Sequence, residues 1–232
     1  MLRFCANLTM LFNELAFPDR FAAAARAGFR AVEFKDPFLH EPARLAELLH
    51  ENALQLVLFN LPPGNRDLGD RGLGCQPLRR SEFRDGVGLA IEYARVLGCG
   101  LVNCLSGVAP PGIARGLLHE TYVDNLRFAS VEMEKHGVRA VIEPVNGIDI
   151  PGAFLTRTDQ AASILDEVGS GNLGIEYDVY QAQREEGNLA VTLERHMPRI
   201  WHMQVADVPS RAEPGTGEIN YPYLFQIGRA HV

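Results

Sequence analysis

Short apolar runs alternate along this chain with longer stretches of helical periodicity, and this alternation limits the possible folds more than any other feature. Seven runs have the length of buried strands, and they cover residues 2–6, 31–34, 54–61, 101–105, 140–143, 173–177 and 200–205. Three helical stretches end at a glycine that can adopt the left-handed cap conformation, namely Gly28, Gly98 and Gly137. The pattern predicts a parallel sheet covered by helices.

Two α/β folds share this alternation, the doubly wound open sheet and the (β/α)8 TIM barrel. A doubly wound sheet usually has a glycine-rich phosphate turn after its first strand, whereas residues 7–10 read Asn-Leu-Thr-Met. We therefore predict a TIM barrel, with residues 1–226 as one domain. Seven of the eight strands are predicted, and residues 227–232 interrupt the last helical stretch without a capping residue. We interpret these six residues as a non-native tail on a truncated barrel that lacks strand eight.

The composition bears on the partners that the protein can have. The chain has 232 residues, of which 47% are hydrophobic, enough for one large core. Its formal net charge of -7 argues against a nucleic-acid partner, because binding a phosphate backbone needs clustered Lys and Arg. No stretch resembles a signal peptide or reaches the length of a membrane span, so we expect a cytoplasmic protein with no membrane partner. The four cysteines lack CxxC spacing and are expected to be reduced.

Polar residues that end the apolar runs are the candidates for chemistry, because the active site of a parallel barrel lies at the carboxyl ends of its strands. Almost every predicted strand has one: Asn7, Glu33, Asn60, Asn103, Glu143, Asp178 and Gln204, with Asp207 just beyond the last. Glu143 is the clearest candidate, because Pro144 stops the ladder and places the preceding carboxylate at the rim.

Glu143, Asp178 and Gln204 come from three successive strands and offer oxygen ligands. This set suits a hard cation such as Mg2+ or Mn2+ better than zinc. For any one of them, the alternative is a rim residue that caps a helix or pairs with an arginine. For Glu33 and Asn103, which are weaker candidates, the alternative partners are loop amides.

Several other residues are candidates for contacts with a substrate. Asn60 and Asn103 are candidates because they end strands. His202 lies on the same side of its strand as Gln204, where a core histidine and a substrate contact fit equally well. Arg211 follows the last strand, and its planar fork either binds a substrate carboxylate or forms a surface pair with Glu213.

Seven segments together carry a resemblance to a known family, and they span nearly all of residues 1–225: MLRFCANLTMLF, FNLPPGNRDLGDRGLG, EFRDGV, IEPVNGIDIPG, YDVYQAQ, HMQVAD and EPGTGEINYPYLF. They resemble the hydroxypyruvate isomerase family of the xylose isomerase-like barrel superfamily. The resemblance implies metal ligands at Glu143, Asp178 and Gln204, with Glu143 as a catalytic acid/base. Gln181, a further candidate for a substrate contact, stands where the family usually has a histidine.

The resemblance implies that hydroxypyruvate and 2-hydroxy-3-oxopropanoate interconvert through an enediolate, with a divalent cation holding the developing oxyanion. The family's second acid/base glutamate lies on strand eight, and this chain does not contain it. We therefore expect the fragment to have little or no activity. The expected partner is a small 2-oxo or hydroxy acid, and the possibility of a homo-oligomer is left open.

Three other functions compete with this one. The closest is a 2-oxo-tetronate isomerase, which shares the barrel and the chemistry. A phosphodiester-cleaving endonuclease of the same superfamily would need a histidine-rich zinc site and a basic surface. A non-catalytic binding protein would show no metal binding that depends on Glu143 and Asp178.

Overall fold

The computed structural model of the chain describes residues 2–230, and the side chains of residues 2–227. The strands are β1 (Ala6–Asn7), β2 (Ala31–Glu33), β3 (Gln55–Asn60), β4 (Leu101–Asn103), β5 (Arg139–Ile142), β6 (Leu173–Asp178) and β7 (Ile200–Gln204). The helices are α1 (Asp19–Arg26), α2 (Pro42–Glu51), α3 (Arg80–Leu97), α4 (Arg115–Glu134), α5 (Thr158–Val168), α6 (Val179–Glu185), α7 (Leu189–His196) and α8 (Tyr221–Ala230).

All seven strands are parallel and lie side by side in sequence order. In a flat sheet, β2 and β7 would be about 24 Å apart, because neighbouring strands are about 4.8 Å apart. Instead, Nε2 of His202 on β7 lies 2.6 Å from Oε2 of Glu33 on β2. The sheet is therefore curled, which confirms the predicted TIM-barrel type of fold, and no eighth strand is seen within residues 2–230.

Side chains two positions apart along a strand lie on the same face of the sheet, so apolar residues inside the barrel are followed by polar residues at its rim. Leu58 of β3, Leu101 of β4 and Val141 of β5 are buried and pack together as one cluster. The residues two positions further along the same chain segments are polar: Asn60, Asn103 and Glu143. The pleat of three neighbouring strands thus brings these three polar side chains to one end of the barrel.

Two elements differ from the sequence-based prediction. Strand β1 covers Ala6–Asn7 instead of residues 2–6, because its ladder with β2 contains only the pairs that Ala6 and Asn7 make. Helix α6 is not predicted from the sequence, since it has only seven residues. Asp178 caps it, and its side chain accepts hydrogen bonds from the backbone N–H groups of Tyr180 and Gln181.

Helix α8 continues where the sequence predicts an interruption. It runs from Tyr221 to Ala230, and Ile227 is buried in the main hydrophobic core. Residues 231 and 232 lie outside the described residues, so the interpretation of residues 227–232 as a non-native tail stays a prediction.

The cysteines are all free, as predicted. Burial raises the pKa of Cys75, Cys99 and Cys104 to about 12, so these thiols stay protonated at neutral pH. Within residues 2–230, no helix combines the length and the apolar composition that crossing a bilayer requires.

Candidate active site

A cavity of about 100 Å³ opens at the carboxyl ends of the strands, where a parallel barrel places its active site. Glu143, Asn60 and Gln181 are part of its polar lining. Four cationic side chains also line it: Lys35, Arg66, Arg71 and Arg211. Among the side chains of residues 2–227, Glu143 is the only carboxylate that lines this cavity. One acidic group is therefore surrounded by an excess of positive charge.

Glu143 follows β5 directly and is the reactive candidate of the site. Its Oε2 accepts a hydrogen bond from Nδ2 of Asn103 at 3.1 Å. Burial and the negative charge of Asp178 raise the pKa of Glu143 to about 7, and the opposing effects of Lys35, Arg211 and the Asn103 hydrogen bond are weaker. A carboxyl group with this pKa can both accept and return a proton at neutral pH.

Asp178 ends β6 and is held from two sides. Besides capping α6, its Oδ2 accepts a 2.9 Å bond from Nη2 of Arg211. Burial raises the pKa of Asp178 above its ordinary value, and Arg211 opposes that rise. Arg211 also lies over the ring of Tyr180, with 4.7 Å between its Cζ and the ring centroid. Arg211 therefore pairs with Asp178 in this structure, instead of forming the surface pair with Glu213.

The loop that carries Arg211 is organised by Asp207, which is fully buried. The Asp207 carboxylate accepts hydrogen bonds from the backbone N–H groups of Val208, Gly215 and Ile219, at 2.7–3.0 Å. Burial would raise the pKa of Asp207, but these backbone donors outweigh it and hold the pKa below its ordinary value. Asp207 thus shapes the loop and does not line the cavity.

Glu33, on β2, is the centre of a hydrogen-bond network across the barrel interior. Its carboxylate accepts bonds from Nδ2 of Asn7 at 2.7 Å, from Nε2 of Gln204 at 2.6 Å and from His202. The Sγ of Cys5 lies 3.6 Å from the same carboxylate. The structure therefore places His202 and Gln204 beside Glu33, and His202 does not line the cavity.

The Cys5, Glu33 and His202 side chains are also the one group of three Cys, His or carboxylate side chains, among residues 2–227, that lies close enough to share a cation. Their ligand atoms all lie within 4.8 Å of one another. This group is not the set that the sequence predicts. Burial and Glu33 raise the pKa of the Cys5 thiol, which therefore keeps its proton at neutral pH when no cation is bound.

Glu176 is a buried carboxyl group that the sequence analysis does not single out. It lies two residues before Asp178 on β6, and its Oε2 has no hydrogen-bond partner among the described residues. Burial, together with the charges of Glu143, Glu33 and Asp178, raises the pKa of Glu176 well above its ordinary value. Glu176 is thus a buried carboxyl group inside the barrel, and the strand alternation of β6 is the signal that could have identified it.

The donor set that the sequence predicts, Glu143, Asp178 and Gln204, offers oxygen atoms, and its binding of one divalent cation stays a prediction. Two of its members are carboxyl groups whose pKa values are raised by burial, a penalty that a nearby cation would offset. The third is an amide whose NH2 group is turned to Glu33, and its oxygen accepts no hydrogen bond within residues 2–227. Oxygen donors of this kind suit Mg2+ or Mn2+.

Lys35, Arg66 and Arg71 are cavity residues that the sequence analysis misses. Lys35 has a detectable signal, because it lies two positions after Glu33 and therefore continues the inward-facing period of β2. Arg66 and Arg71 lie in the long loop after β3. No local periodicity predicts that this loop passes over the cavity.

The curled parallel sheet and the polar cluster at its carboxyl end define an α/β-barrel protein of the kind that carries out chemistry at its strand ends. The family model described as xylose isomerase-like TIM barrel matches residues 21–229. The chain belongs to this family.

Several characterised proteins are similar over almost the whole chain. Hydroxypyruvate isomerase of Escherichia coli (strain K12) is 49% identical over 227 residues, which cover 98% of this chain and 88% of that protein. A 2-oxo-tetronate isomerase of Cupriavidus necator is 46% identical over 227 residues, covering 98% and 87%. A crystal structure from Brucella melitensis, described as an AP endonuclease of family 2, has a TM-score of 0.97 at 38% identity and covers 99% of this chain and 89% of that one.

Proposed function

We propose that this protein is an isomerase of small 2-oxo acids that interconverts hydroxypyruvate and 2-hydroxy-3-oxopropanoate. The observation that carries the proposal is Glu143, a carboxyl group with a pKa of about 7 in a cavity that four cationic side chains also line. The names of two relatives, hydroxypyruvate isomerase and 2-oxo-tetronate isomerase, support both the reaction class and the acidic substrate.

The reaction moves one proton between neighbouring carbons. The Glu143 carboxylate removes a proton from C3 of hydroxypyruvate, and the electron pair of that bond forms the C2–C3 double bond as the C2 oxygen becomes negative. Glu143 then returns the proton to C2, while the hydroxyl proton on O3 moves to O2 and leaves an aldehyde at C3. A pKa near 7 suits both half-reactions, because the group is a competent base and then a competent acid.

Other residues of the site orient Glu143 and contribute positive charge for the enediolate. Asn103 binds its Oε2 and leaves its Oε1 without a hydrogen bond from residues 2–227. Lys35 and Arg211 contribute positive charge where the enediolate develops. A divalent cation held by Glu143, Asp178 and Gln204 would supply further positive charge to stabilise the enediolate oxygens.

Hydrogen exchange at C3 of hydroxypyruvate in heavy water tests this proposal, with proton NMR as the readout and Mg2+ or Mn2+ present. The exchange needs only one base, so it does not depend on a second acid/base group. We expect the protein to catalyse the exchange, and Glu143→Gln to slow it by at least about 10²-fold, because the base is lost. Removal of divalent cations with EDTA should also slow the exchange.

The matched control is Glu47→Gln on the outer helix α2, where the Glu47 side chain is 62% exposed. This variant should exchange as the unsubstituted protein does. The proposal would be falsified if the protein gave no exchange above background with either cation, or if Glu143→Gln exchanged normally. Comparison of kcat/KM for hydroxypyruvate and 2-oxo-tetronate then decides between the two substrates.

A further inference from the structure

The four cations that line the cavity differ in whether a carboxylate already neutralises them. Arg211 is paired with Asp178 at 2.9 Å, and Arg66 with Asp36 at 3.3 Å. Lys35 and Arg71 have no carboxylate within 4.0 Å among the side chains of residues 2–227. Two uncompensated positive charges therefore face the same cavity as Glu143.

Lys35 is half-buried, and its position is set by strand β2. It follows β2, and its backbone N–H donates to Oγ1 of Thr9 at 2.9 Å. Its ammonium makes no hydrogen bond within residues 2–227, and Lys35 lines the same cavity as Glu143. A half-buried ammonium without an acceptor is ready to bind an anionic group of a ligand.

Arg71 lies in the long loop after β3. Its Nη1 donates to the carbonyl oxygens of Arg66 at 3.4 Å and Asp70 at 2.7 Å, and its Nε and Nη2 make no hydrogen bond within residues 2–227. The next residue, Gly72, donates its N–H to Pro63 at 2.9 Å, and Cys75 donates to the carbonyl of Ser106 at 2.8 Å. The backbone beside Arg71 is therefore held in place, and one side of its planar fork is open.

The loop that carries Arg71 packs closely against the chain after β4. A Cβ added to Gly72 would lie 2.5 Å from Cβ of Leu105, and one added to Gly107 would lie 2.1 Å from the carbonyl oxygen of Gly72. The loop consequently cannot withdraw Arg71 from the cavity in that direction without moving the chain after β4. This contact fixes the backbone beside Arg71, whose side chain is exposed.

We propose that Lys35 and Arg71 together bind the carboxylate of the substrate and make the site specific for 2-oxo acids over neutral hydroxyketones. The inference rests on the proposed function for the identity of the substrate. Arg211, whose fork is engaged by Asp178 and stacked on Tyr180, holds the site together instead. Binding the carboxylate between Lys35 and Arg71 leaves the neighbouring carbons of the acid to face Glu143 in the same cavity.

The first test is a calorimetric titration with pyruvate, which has the carboxylate and the 2-oxo group but no C3 hydroxyl and cannot isomerise. Lys35→Met and Arg71→Gln should each weaken pyruvate binding by about 10- to 100-fold, the usual loss when one charge-assisted hydrogen bond is removed. Lys35→Arg should retain most of the affinity, because it keeps the charge. The charge-matched controls are Lys135→Met, directly after α4, and Arg44→Gln, on α2, and both should bind pyruvate normally.

The second test compares C3 exchange in hydroxypyruvate with exchange in dihydroxyacetone, a neutral analogue in which a hydroxymethyl group replaces the carboxylate. Arg71→Gln should raise KM for hydroxypyruvate and leave the exchange of dihydroxyacetone within about two- to threefold, because only the acid has a carboxylate for Arg71 to bind. Lys35→Met should slow both exchanges, because Lys35 also contributes charge to the enediolate, but it should slow that of hydroxypyruvate more. Equal losses with both compounds would indicate a structural role and overturn the inference.

The two proposals fail in different ways. A protein that binds pyruvate through Lys35 and Arg71 without exchanging hydroxypyruvate contradicts the proposed function and leaves the carboxylate site standing. Pyruvate binding that is unchanged in Lys35→Met and in Arg71→Gln overturns the carboxylate site, whatever the activity of the protein.

Discussion

Glu143 and Asp207 are carboxylic acids that each follow a strand of the barrel, yet their surroundings move their pKa values in opposite directions. Burial and Asp178 raise the pKa of Glu143 to about 7. Asp207 is inaccessible to solvent, but backbone N–H donors hold its pKa below the ordinary value. The sequence identifies both as polar residues at strand ends and does not separate a reactive carboxyl group from one that shapes a loop.

Asp207→Asn tests the structural role by the pH dependence of stability. Because the folded-state pKa of Asp207 is lowered, its contribution is fully present above the unfolded-state pKa and is lost as pH falls through the folded-state value. We expect Asp207→Asn to lower the free energy of unfolding by about 2 kcal/mol near neutral pH, because the amide cannot accept every backbone bond. Urea unfolding from neutral pH to about pH 3 should show this difference shrinking.

Glu213→Gln, an exposed change in the same loop, is the control and should leave the free energy of unfolding within about 0.5 kcal/mol at every pH. A difference between Asp207→Asn and the unsubstituted protein that stays constant down to low pH would contradict the assignment.

At the scale of elements, the two loops after β3 and β4 hold each other in place. Gly74 and Cys75 of the first loop donate backbone hydrogen bonds to Leu105 and Ser106 of the second. Gly107, with φ +86, lies against Gly72 so closely that no side chain fits between them. Arg71 therefore reaches the cavity only when both loops have their observed conformations.

Gly107→Ala should both destabilise the protein and weaken pyruvate binding. The added methyl group would lie 2.1 Å from the carbonyl oxygen of Gly72 and must displace the loop that carries Arg71. Gly112→Ala is the matched control, because Gly112 has φ +78 and a Cβ there meets nothing within 4 Å. Both substitutions place an alanine at a positive φ and therefore cost similar backbone strain. The difference in stability between the two variants then measures the contact of residue 107 with Gly72.

We expect Gly107→Ala to lose about 1–3 kcal/mol more than Gly112→Ala, a difference in melting temperature of several degrees for a chain of this length. Thermal unfolding and the pyruvate titration measure the two effects. If Gly107→Ala and Gly112→Ala behaved alike in both, the close contact between the loops would not be what positions Arg71.

At the scale of the whole molecule, the Glu33 network joins strands at opposite edges of the sheet. Glu33 on β2 accepts hydrogen bonds from His202 and Gln204 on β7, across 169 and 171 residues of sequence. The Glu33 side chain is 4% exposed, and the His202 side chain 14%. The network therefore stabilises the curl of the sheet and also fixes the orientation of the Gln204 amide.

Glu33→Ala should lower the free energy of unfolding by about 3–5 kcal/mol, because it removes a buried carboxylate and leaves half-buried donors on Asn7, Gln204 and His202 without their shared acceptor. Denaturant unfolding monitored by fluorescence and by circular dichroism measures the loss. Glu14→Ala, at an exposed position before α1, should cost less than about 0.5 kcal/mol. A similar small cost for Glu33→Ala would mean that the network contributes little to closing the sheet.

Much of the fold could be predicted from the sequence, because strand and helix periodicity are local properties of the chain. All seven strands are where the apolar patterns indicate, within a few residues, and helices α1, α3 and α4 end within three residues of the predicted glycines. The sequence pattern does not predict helix α6, because seven residues are too few to show a helical period and the start of the helix depends on the Asp178 cap.

The candidate site could be predicted only in part. Asn60, Glu143, Gln181 and Arg211 line one cavity, and Asp178 lies beside it through its ion pair with Arg211. His202 and Gln204 are inward-facing as the strand period indicates, but their partner is Glu33, for which the sequence suggests a weaker role in chemistry or bonds to loop amides. A hydrogen-bond partner more than 150 residues away leaves no local signal.

By itself, the sequence determined the order and type of the elements and the polar residues at the strand ends, because both follow from periodicities of two and 3.6 residues along the chain. Only the tertiary structure decided which of those residues meet, since curling the sheet brings β2 against β7 and the loop after β3 against the loop after β4. The same long-range contacts place Lys35 and Arg71 in the cavity of Glu143 and leave their charges unpaired there.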